Sequence, residues 1–230
     1  MSSTRASDTT TDAISETESD LTTKARIRQA AVVRFPIDGF SGTTVRSIAT
    51  AADVSPGLVI HHFGSKDNLR SECDDYVIRR IGELRRASVA EGTYQQVDAV
   101  AALFQLLEPE IRYLAWALGS GGSASDHVFD LLLADVVSQI ADFQKAGLVS
   151  EIQDPQTFGA VLLTMRLGGL VLHEQLSRTV GFDTLSPEGL MELAPHTLSI
   201  LSGEVFDKRA LHDAASALDE FNRQTKEKEK

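Results

Sequence analysis

Few side chains in this sequence are of a type and spacing that could do covalent or metal chemistry. Cys73 is the only cysteine. It has no disulfide partner and no second thiolate for a metal site, so it reads as a small helix-surface or core residue. His61 and His62 are adjacent, but a metal needs further convergent ligands and none follows at helical spacing. No phosphate-cradling glycine loop, dinucleotide fingerprint or nucleophile elbow is present. The sequence therefore leads us to expect no catalytic centre, no cofactor and no metal. What remains is non-covalent chemistry, carried by charge and by the order of helix caps.

Charge is unevenly spread. The chain carries a formal net charge of -11, which argues against indiscriminate coating of nucleic acid. Within it, residues 1–20 sum to -4 and residues 21–70 to +4, and the remainder is acidic. A basic segment of about 50 residues on an acidic body is the footprint of a small nucleic-acid-binding module.

The elements that must position that charge are almost all helices. Strand-like alternation is absent, and Gly, Pro and Ser fall where helices begin and end. Residues 1–20 are rich in Ser, Thr, Asp and Glu, and read as a disordered acidic tail. A first helix is expected from about Thr22 to Asp38, with Ile27, Ala30, Ala31 and Phe35 on one face and Gly39 as its cap. A second follows Thr44 as N-cap to near Ala52. A third has Ser55 as N-cap and Pro56 at its first position, and ends near His62. A fourth runs from Ser65 to about Ala90. Further helices are expected at about Gln95–Leu107, Pro109–Leu118, Ser125–Ala146, Pro155–Val180, Pro187–Ser202 and Lys208–Gln224, with 226–230 as a frayed tail. The fold class is all-α, with about nine or ten helices. No apolar run reaches the roughly 18 residues of a membrane span, and no signal peptide opens the chain, so a cytoplasmic protein without membrane contact is expected.

Residues 44–63, TVRSIATAADVSPGLVIHHF, have the spacing of helix, short turn, helix. Ala49 is small where two helices cross, Val54 is apolar in the turn, and Ser55 caps a helix whose first residues face outward. That arrangement lets one helix brace on a nucleic-acid backbone while the other offers its N-terminal side chains to the major groove.

Residues 27–69 resemble the N-terminal domain of the TetR/AcrR family of bacterial regulators. The resemblance rests on Ala30-Ala31 and Phe35, Gly39-Phe40, Thr43-Thr44-Val45, Ile48-Ala49, Val54-Ser55, Gly57, His62-Phe63 and Ser65-Lys66-Asp67-Asn68-Leu69. It implies a DNA-binding head at 21–66 and a larger effector-binding and dimerisation domain at 67–225. It implies that Thr44 and Lys66 contact phosphate. Ser55, Pro56, Gly57, Leu58, Ile60 and His61 would lie on the recognition helix, with His62 packing or touching phosphate and Arg46 reaching a phosphate or base edge. Two departures stand out. Asp53 occupies a turn position where the family usually has Gly, and Leu58 and Ile60 are aliphatic where the family more often has polar or aromatic groups. Aliphatic side chains read thymine methyls and shape rather than donor and acceptor patterns.

In the body, the segment from Phe158 to Leu176 is apolar on nearly all faces, so it is expected to be buried on more than one side. With the heptad-like apolar positions after Leu190, and with the family's two-fold helical interface, it gives a candidate dimer set: Leu162, Met165, Gly169, Leu172, Leu176, Leu190, Ala194, Leu198 and Leu201. Phe104, Arg112, Tyr113, Trp116, Phe129, Met165 and His173 are candidates to line a pocket for a small hydrophobic effector. The resemblance thus implies a homodimeric regulator that binds a double-stranded operator and responds to a small molecule. Repression is the common case in the family. A helical protein–protein adaptor that keeps the fold without sequence-specific DNA binding remains the rival reading.

Overall fold

The computed structural model of the chain describes residues 6–93, 96–145, 147, 149–201 and 207–228. Among these there are ten helices and no strand: α1 (Ala6–Gly42), α2 (Val45–Ala51), α3 (Pro56–Phe63), α4 (Lys66–Ala90), α5 (Val97–Gly119), α6 (Gly122–Lys145), α7 (Pro155–Val171), α8 (His173–Val180), α9 (Pro187–Leu201) and α10 (Lys208–Lys228). The all-α expectation is met. The termini of α2, α3 and α4 fall where the caps placed them.

Three departures have physical causes. The helix expected to begin near Thr22 begins at Ala6, so most of the segment expected to be a disordered tail is helical. It is poor in apolar residues, but no Gly or Pro precedes Pro36 to interrupt a helix. The two helices expected on either side of Pro109 are one, α5. Proline's fixed φ is compatible with a helix, and the single lost hydrogen bond is outweighed by a continuous buried face of Leu107, Tyr113, Leu114 and Ala117. Conversely, the single helix expected at Pro155–Val180 is two. The break is at Leu172, with φ -100° and ψ 22°, and α7 and α8 are bent by 61°. Gly168 and Gly169 lie one turn upstream, where low helix propensity weakens the segment. Gln95, the expected start of one helix, and the last two residues of the expected frayed tail lie outside the described residues. Among the described residues no single helix is long and apolar enough to cross a membrane.

The main core joins head and body. Ile27, Ala31, Val32 and Phe35 from α1 pack with Ile48, Ala49, Val59 and Phe63 from α2 and α3. The same cluster continues through Leu69, Cys73 and Val77 of α4 to Tyr113, Leu114 and Ala117 of α5 and Val128 of α6. No gap in packing marks residue 66. A second cluster of Leu133, Val136, Ile140 and Leu163 holds α6 against α7. Truncating a buried aromatic such as Phe35 to alanine would cost about 3–5 kcal/mol. The head is therefore seated on the body through one continuous core, and α3 is held in it by α1, α2 and α4.

Polar links brace the same joint. The Tyr113 hydroxyl donates to Asp74 at 2.7 Å inside the core. Burial pushes the Asp74 carboxyl above its ordinary range, against the opposing pull of the Tyr113 hydrogen bond and of Arg70. Glu110, buried on α5, faces Arg80 on α4 at 3.4 Å. Burial pushes the Cys73 thiol well above the ordinary thiol range, so Cys73 is a core residue and not a reactive thiol.

Candidate nucleic-acid interface

The interface begins with a loop held from three sides. The helical run of α1 gives way at Gly39, whose φ of 69° is in the region that favours glycine. The buried Thr43 hydroxyl then donates to the Gly39 carbonyl at 2.8 Å. Lys66, at the first position of α4, donates its ammonium to the carbonyls of Phe40 at 2.7 Å and Thr43 at 2.9 Å. That ammonium also lies 4.2 Å from the centre of the Phe40 ring. The sequence reading gave Lys66 to a phosphate alone. The structure instead has two of its three donors engaged by the chain itself.

This loop delivers Thr44 to the start of α2. Ser47 donates its amide to the Thr44 hydroxyl and Thr44 its amide to the Ser47 hydroxyl, each at 3.0 Å. Such a reciprocal box leaves the Thr44 hydroxyl hydrogen and the outer amides of the first turn pointing at solvent. Arg46, one residue into the helix, is exposed, and its guanidinium has no partner among the described residues.

The turn to α3 passes through Asp53, whose φ of 53° is the one positive value at a non-glycine residue among those described. This matches the departure noted in sequence, since Asp tolerates the left-handed region better than most residues. Arg26 of α1 holds the turn. It donates to the carbonyls of Ala52 at 2.5 Å and Asp53 at 3.1 Å and pairs with the Asp53 carboxylate at 3.6 Å. No spacing signal marked Arg26, because its partners are backbone carbonyls 26 and 27 residues away.

On α3, Ser55 caps the helix by accepting from the Leu58 amide at 3.3 Å, and Pro56 opens it. Val59 and Phe63 point inward, 1% and 5% exposed, while Leu58 and Ile60 are 40% and 45% exposed. Ser55, Pro56, Gly57 and His61 are exposed as well. His62 is half-buried and lies edge-on to the Phe63 ring at 6.3 Å, so it packs inward. A Cβ at Gly57 would meet only the Ser55 hydroxyl, at 3.8 Å. Packing within the chain does not require glycine there, and an external surface approaching the helix would. Among the described residues no group of three or more His, Cys, Asp or Glu could hold a metal.

The arrangement is a two-helix hairpin with a capped, outward-facing first turn on each helix, set on a basic segment. Two sequence comparisons decide its family. Residues 27–73 match the profile of the bacterial regulatory proteins of the tetR family, and residues 106–200 match that of the tetracyclin repressor-like C-terminal domain. The chain is 33% identical over 196 residues to the HTH-type transcriptional regulatory protein RaaS of Mycobacterium tuberculosis, covering 85% of this chain and 90% of that protein. The chain belongs to the TetR family of transcriptional regulators. A shorter match, 33% identical over 85 residues, is to the HTH-type transcriptional regulator BetI of Paraburkholderia xenovorans, covering 35% of this chain and 44% of that protein. A TetR-family regulator structure from Rhodococcus sp. superposes with a TM-score of 0.53 at 17% identity, over 76% of this chain and 97% of that one. That likeness supports the fold. The profile of the head covers α2 and α3 and extends into the first two turns of α4.

The TetR-family body does not gather the expected effector residues into one place. Arg112, Trp116 and His173 line a cavity of about 590 Å³ that also touches Pro36 and Ile37 of α1. Phe104 lines a different groove, between α5, α7 and α9. Tyr113 is fully buried in the main core, and Phe129 packs on the second core cluster. Met165 is 62% exposed on the outer side of α7. Aromatic type alone did not distinguish core from cavity. Arg112 is already engaged, donating to Asp183 at 2.6 Å and to Glu108 at 3.0 Å.

The expected dimer residues also divide. Leu172 and Leu198 are 56% and 65% exposed, and Phe158, Val161 and Met165 of α7 are exposed as well. Leu162, Gly169, Leu190 and Ala194 line the α7–α9 groove, which Leu198 also borders. Leu176 is half-buried on α8, and the side chain of Leu201 lies outside the described residues.

Proposed function

We propose that the chain is a dimeric, ligand-responsive repressor that binds a palindromic operator and leaves it when a small hydrophobic effector binds. It would act in the cytoplasm, where its DNA is. The observation that carries this reading is the outer face of α2 and α3. Thr44 is capped and solvent-facing, the Arg46 guanidinium is unpaired, and Gly57 has no packing need for glycine. In this reading Thr44, Lys66 and the outer amides of α2 hold phosphates, while Ser55, Pro56, Gly57, Leu58, Ile60 and His61 face base edges. Leu58 and Ile60 would read methyl groups and groove shape.

Dimerisation follows from two supports. One head buries too little surface for useful specificity, and α7 and α9 leave large apolar side chains exposed, among them Met165, Leu172 and Leu198. The 590 Å³ cavity beside Pro36 and Ile37 is the effector site we favour, because a ligand there touches the helix that carries the head. Phe35 of α1 is stacked on Trp116 at 5.4 Å and 5°, and Phe40, stacked on Phe35 at 5.7 Å, borders the loop before Thr44. A ligand that favours one setting of this stack shifts the head only by its differential affinity for the two settings.

The exposed aliphatics on α3 favour the adaptor reading as the second choice. The two readings separate in one assay, fluorescence anisotropy of labelled duplexes over a range of salt. A regulator loses affinity steeply with salt, because each phosphate contact releases counterions. No binding to any duplex at low salt would reject the repressor.

A further inference from the structure

The turn that launches α3 is held unequally on its two sides. On the inner side Ala52 is buried and Val54 packs against the main core. On the outer side a cleft of about 420 Å³ separates the turn from α1. Its walls include the small side chains Ala30, Val33, Ala51 and Ala52, so close packing is missing there. Arg26 reaches across this cleft. One terminal nitrogen of its guanidinium donates to the carbonyls of Ala52 at 2.5 Å and Asp53 at 3.1 Å, and lies 3.6 Å from the Asp53 carboxylate. The other polar walls are engaged elsewhere. Gln29 accepts from the Tyr76 hydroxyl at 3.5 Å, and Arg34 pairs with Asp38 at 3.1 Å.

The far end of α3 is anchored independently. Phe63 is buried, and the Lys24 ammonium lies 5.4 Å from its ring while pairing with Glu72 at 3.0 Å. The near end, from Ser55 to Leu58, is exposed. The helix has 8 residues, which at the usual rise span about 12 Å. A swing of about 5° about Phe63 therefore moves the first turn by about 1 Å, against a tolerance of about 0.5 Å for recognition contacts. Whatever fixes the turn fixes that angle.

We propose that Arg26 is a positioning residue for base recognition. Its bridge from α1 to the Ala52 and Asp53 carbonyls sets the angle at which the first turn of α3 enters the groove. This rests on the reading of α3 as the helix that meets DNA. The ion pair with Asp53 adds little of its own, because the Asp53 side chain is fully exposed. The charge-assisted bonds to the two carbonyls carry the hold. Such a residue has a signature that a phosphate contact lacks. Loss of a phosphate contact weakens binding to all sequences alike, whereas tilting a reading helix costs the contacts to bases.

The test uses the full chain and two duplexes, the sequence that the natural chain enriches most from random DNA and a shuffled duplex of the same composition. Arg26→Met keeps the aliphatic stem and removes the donors. Fluorescence anisotropy, well below the melting temperature of each variant, should show its preference for the enriched duplex reduced at least about tenfold, with affinity for the shuffled duplex changed by less than about threefold. Arg26→Lys, which can reach one carbonyl, should recover part of the preference. Asp53→Asn keeps the carbonyls and the tolerance of a left-handed backbone, and should lose less than about threefold. In the free protein, amide hydrogen exchange at Val54 and Leu58 should quicken in Arg26→Met while Phe63 stays protected. Equal weakening on both duplexes, with a salt slope smaller by about one, would make Arg26 a phosphate contact and overturn the proposal. An unchanged preference in Arg26→Met, whatever its melting temperature, would overturn it too and leave Arg26 a purely structural residue. A loss in Asp53→Asn as large as in Arg26→Met would overturn the carbonyl bridge. If the natural chain prefers no duplex, the reading of α3 fails and the proposal with it. If the natural chain discriminates and Arg26→Met discriminates equally, the proposal alone fails.

Discussion

Lys66→Met keeps the aliphatic stem of Lys66 and removes its ammonium. Two charge-assisted bonds are lost, to the carbonyls of Phe40 and Thr43 at 2.7 and 2.9 Å. The contact with the Phe40 ring at 4.2 Å is lost as well. Bonds to charged groups contribute about 1.5–3 kcal/mol each when fully desolvated. Lys66 is half-buried, so water replaces part of the loss and a total of about 2–3 kcal/mol is expected. For a chain of this size that is a fall in Tm of about 4–12 °C. The loop that presents Thr44 would loosen, and the third donor of the ammonium would no longer reach a phosphate. Duplex affinity should therefore fall, and the slope of log affinity against log salt should shrink by about one. Urea unfolding and anisotropy titrations at four salt concentrations, well below the lowered Tm, measure both effects. Unchanged stability with an altered salt slope would refute the positioning role. Unchanged values of both would refute the reasoning altogether.

Other consequences are equally direct. Gly57→Ala should leave stability unchanged or raise it by up to about 1 kcal/mol, since the added methyl has room and alanine favours helix. It should weaken duplex binding by crowding the groove. Wild-type affinity in an anisotropy titration would show that nothing approaches α3 closely. Leu172→Glu and Leu198→Glu change exposed side chains and should give folded monomers by sedimentation. Soluble dimers from both would remove α7 and α9 from the interface. Asp74→Asn keeps an acceptor for the Tyr113 hydroxyl and removes a carboxyl whose folded pKa is raised, chiefly by burial. A raised pKa means that the group's stabilising contribution is present at low pH and lost as pH rises through the folded value. The variant should therefore gain stability relative to the natural chain at pH 8 and gain little near the ordinary carboxylate range. Parallel pH–stability curves would contradict that.

The parts of the fold that sequence revealed are those fixed by local rules. Thr44, Ser55-Pro56 and Ser65 mark helix starts because a cap bonds within three residues, and the three boundaries fall there. The turn at Asp53 was legible for the same reason. Local rules failed where tertiary burial overrode them. Pro109 stays inside α5 because that helix has a continuous buried face, and α7 breaks from α8 at Leu172 rather than at a proline. The site divides in the same way. Outward Leu58 and Ile60 against inward Val59 and Phe63 follow from a 3.6-residue period. The roles of Arg26 and Lys66 do not, because each depends on atoms brought from 20 or more residues away. The aromatic candidates for an effector pocket scattered because Tyr113, Trp116 and Phe129 share a chemical type while one is core, one lines a cavity and one joins a second cluster.

Selection of bound sequences from random duplex DNA by the purified full chain tests the central claim most directly. The account predicts an enriched palindrome whose half-sites are centred about one helical turn apart, or a multiple of it, as two symmetry-related heads require. An absence of enrichment at low salt would contradict it, and so would enrichment of a single unpaired half-site.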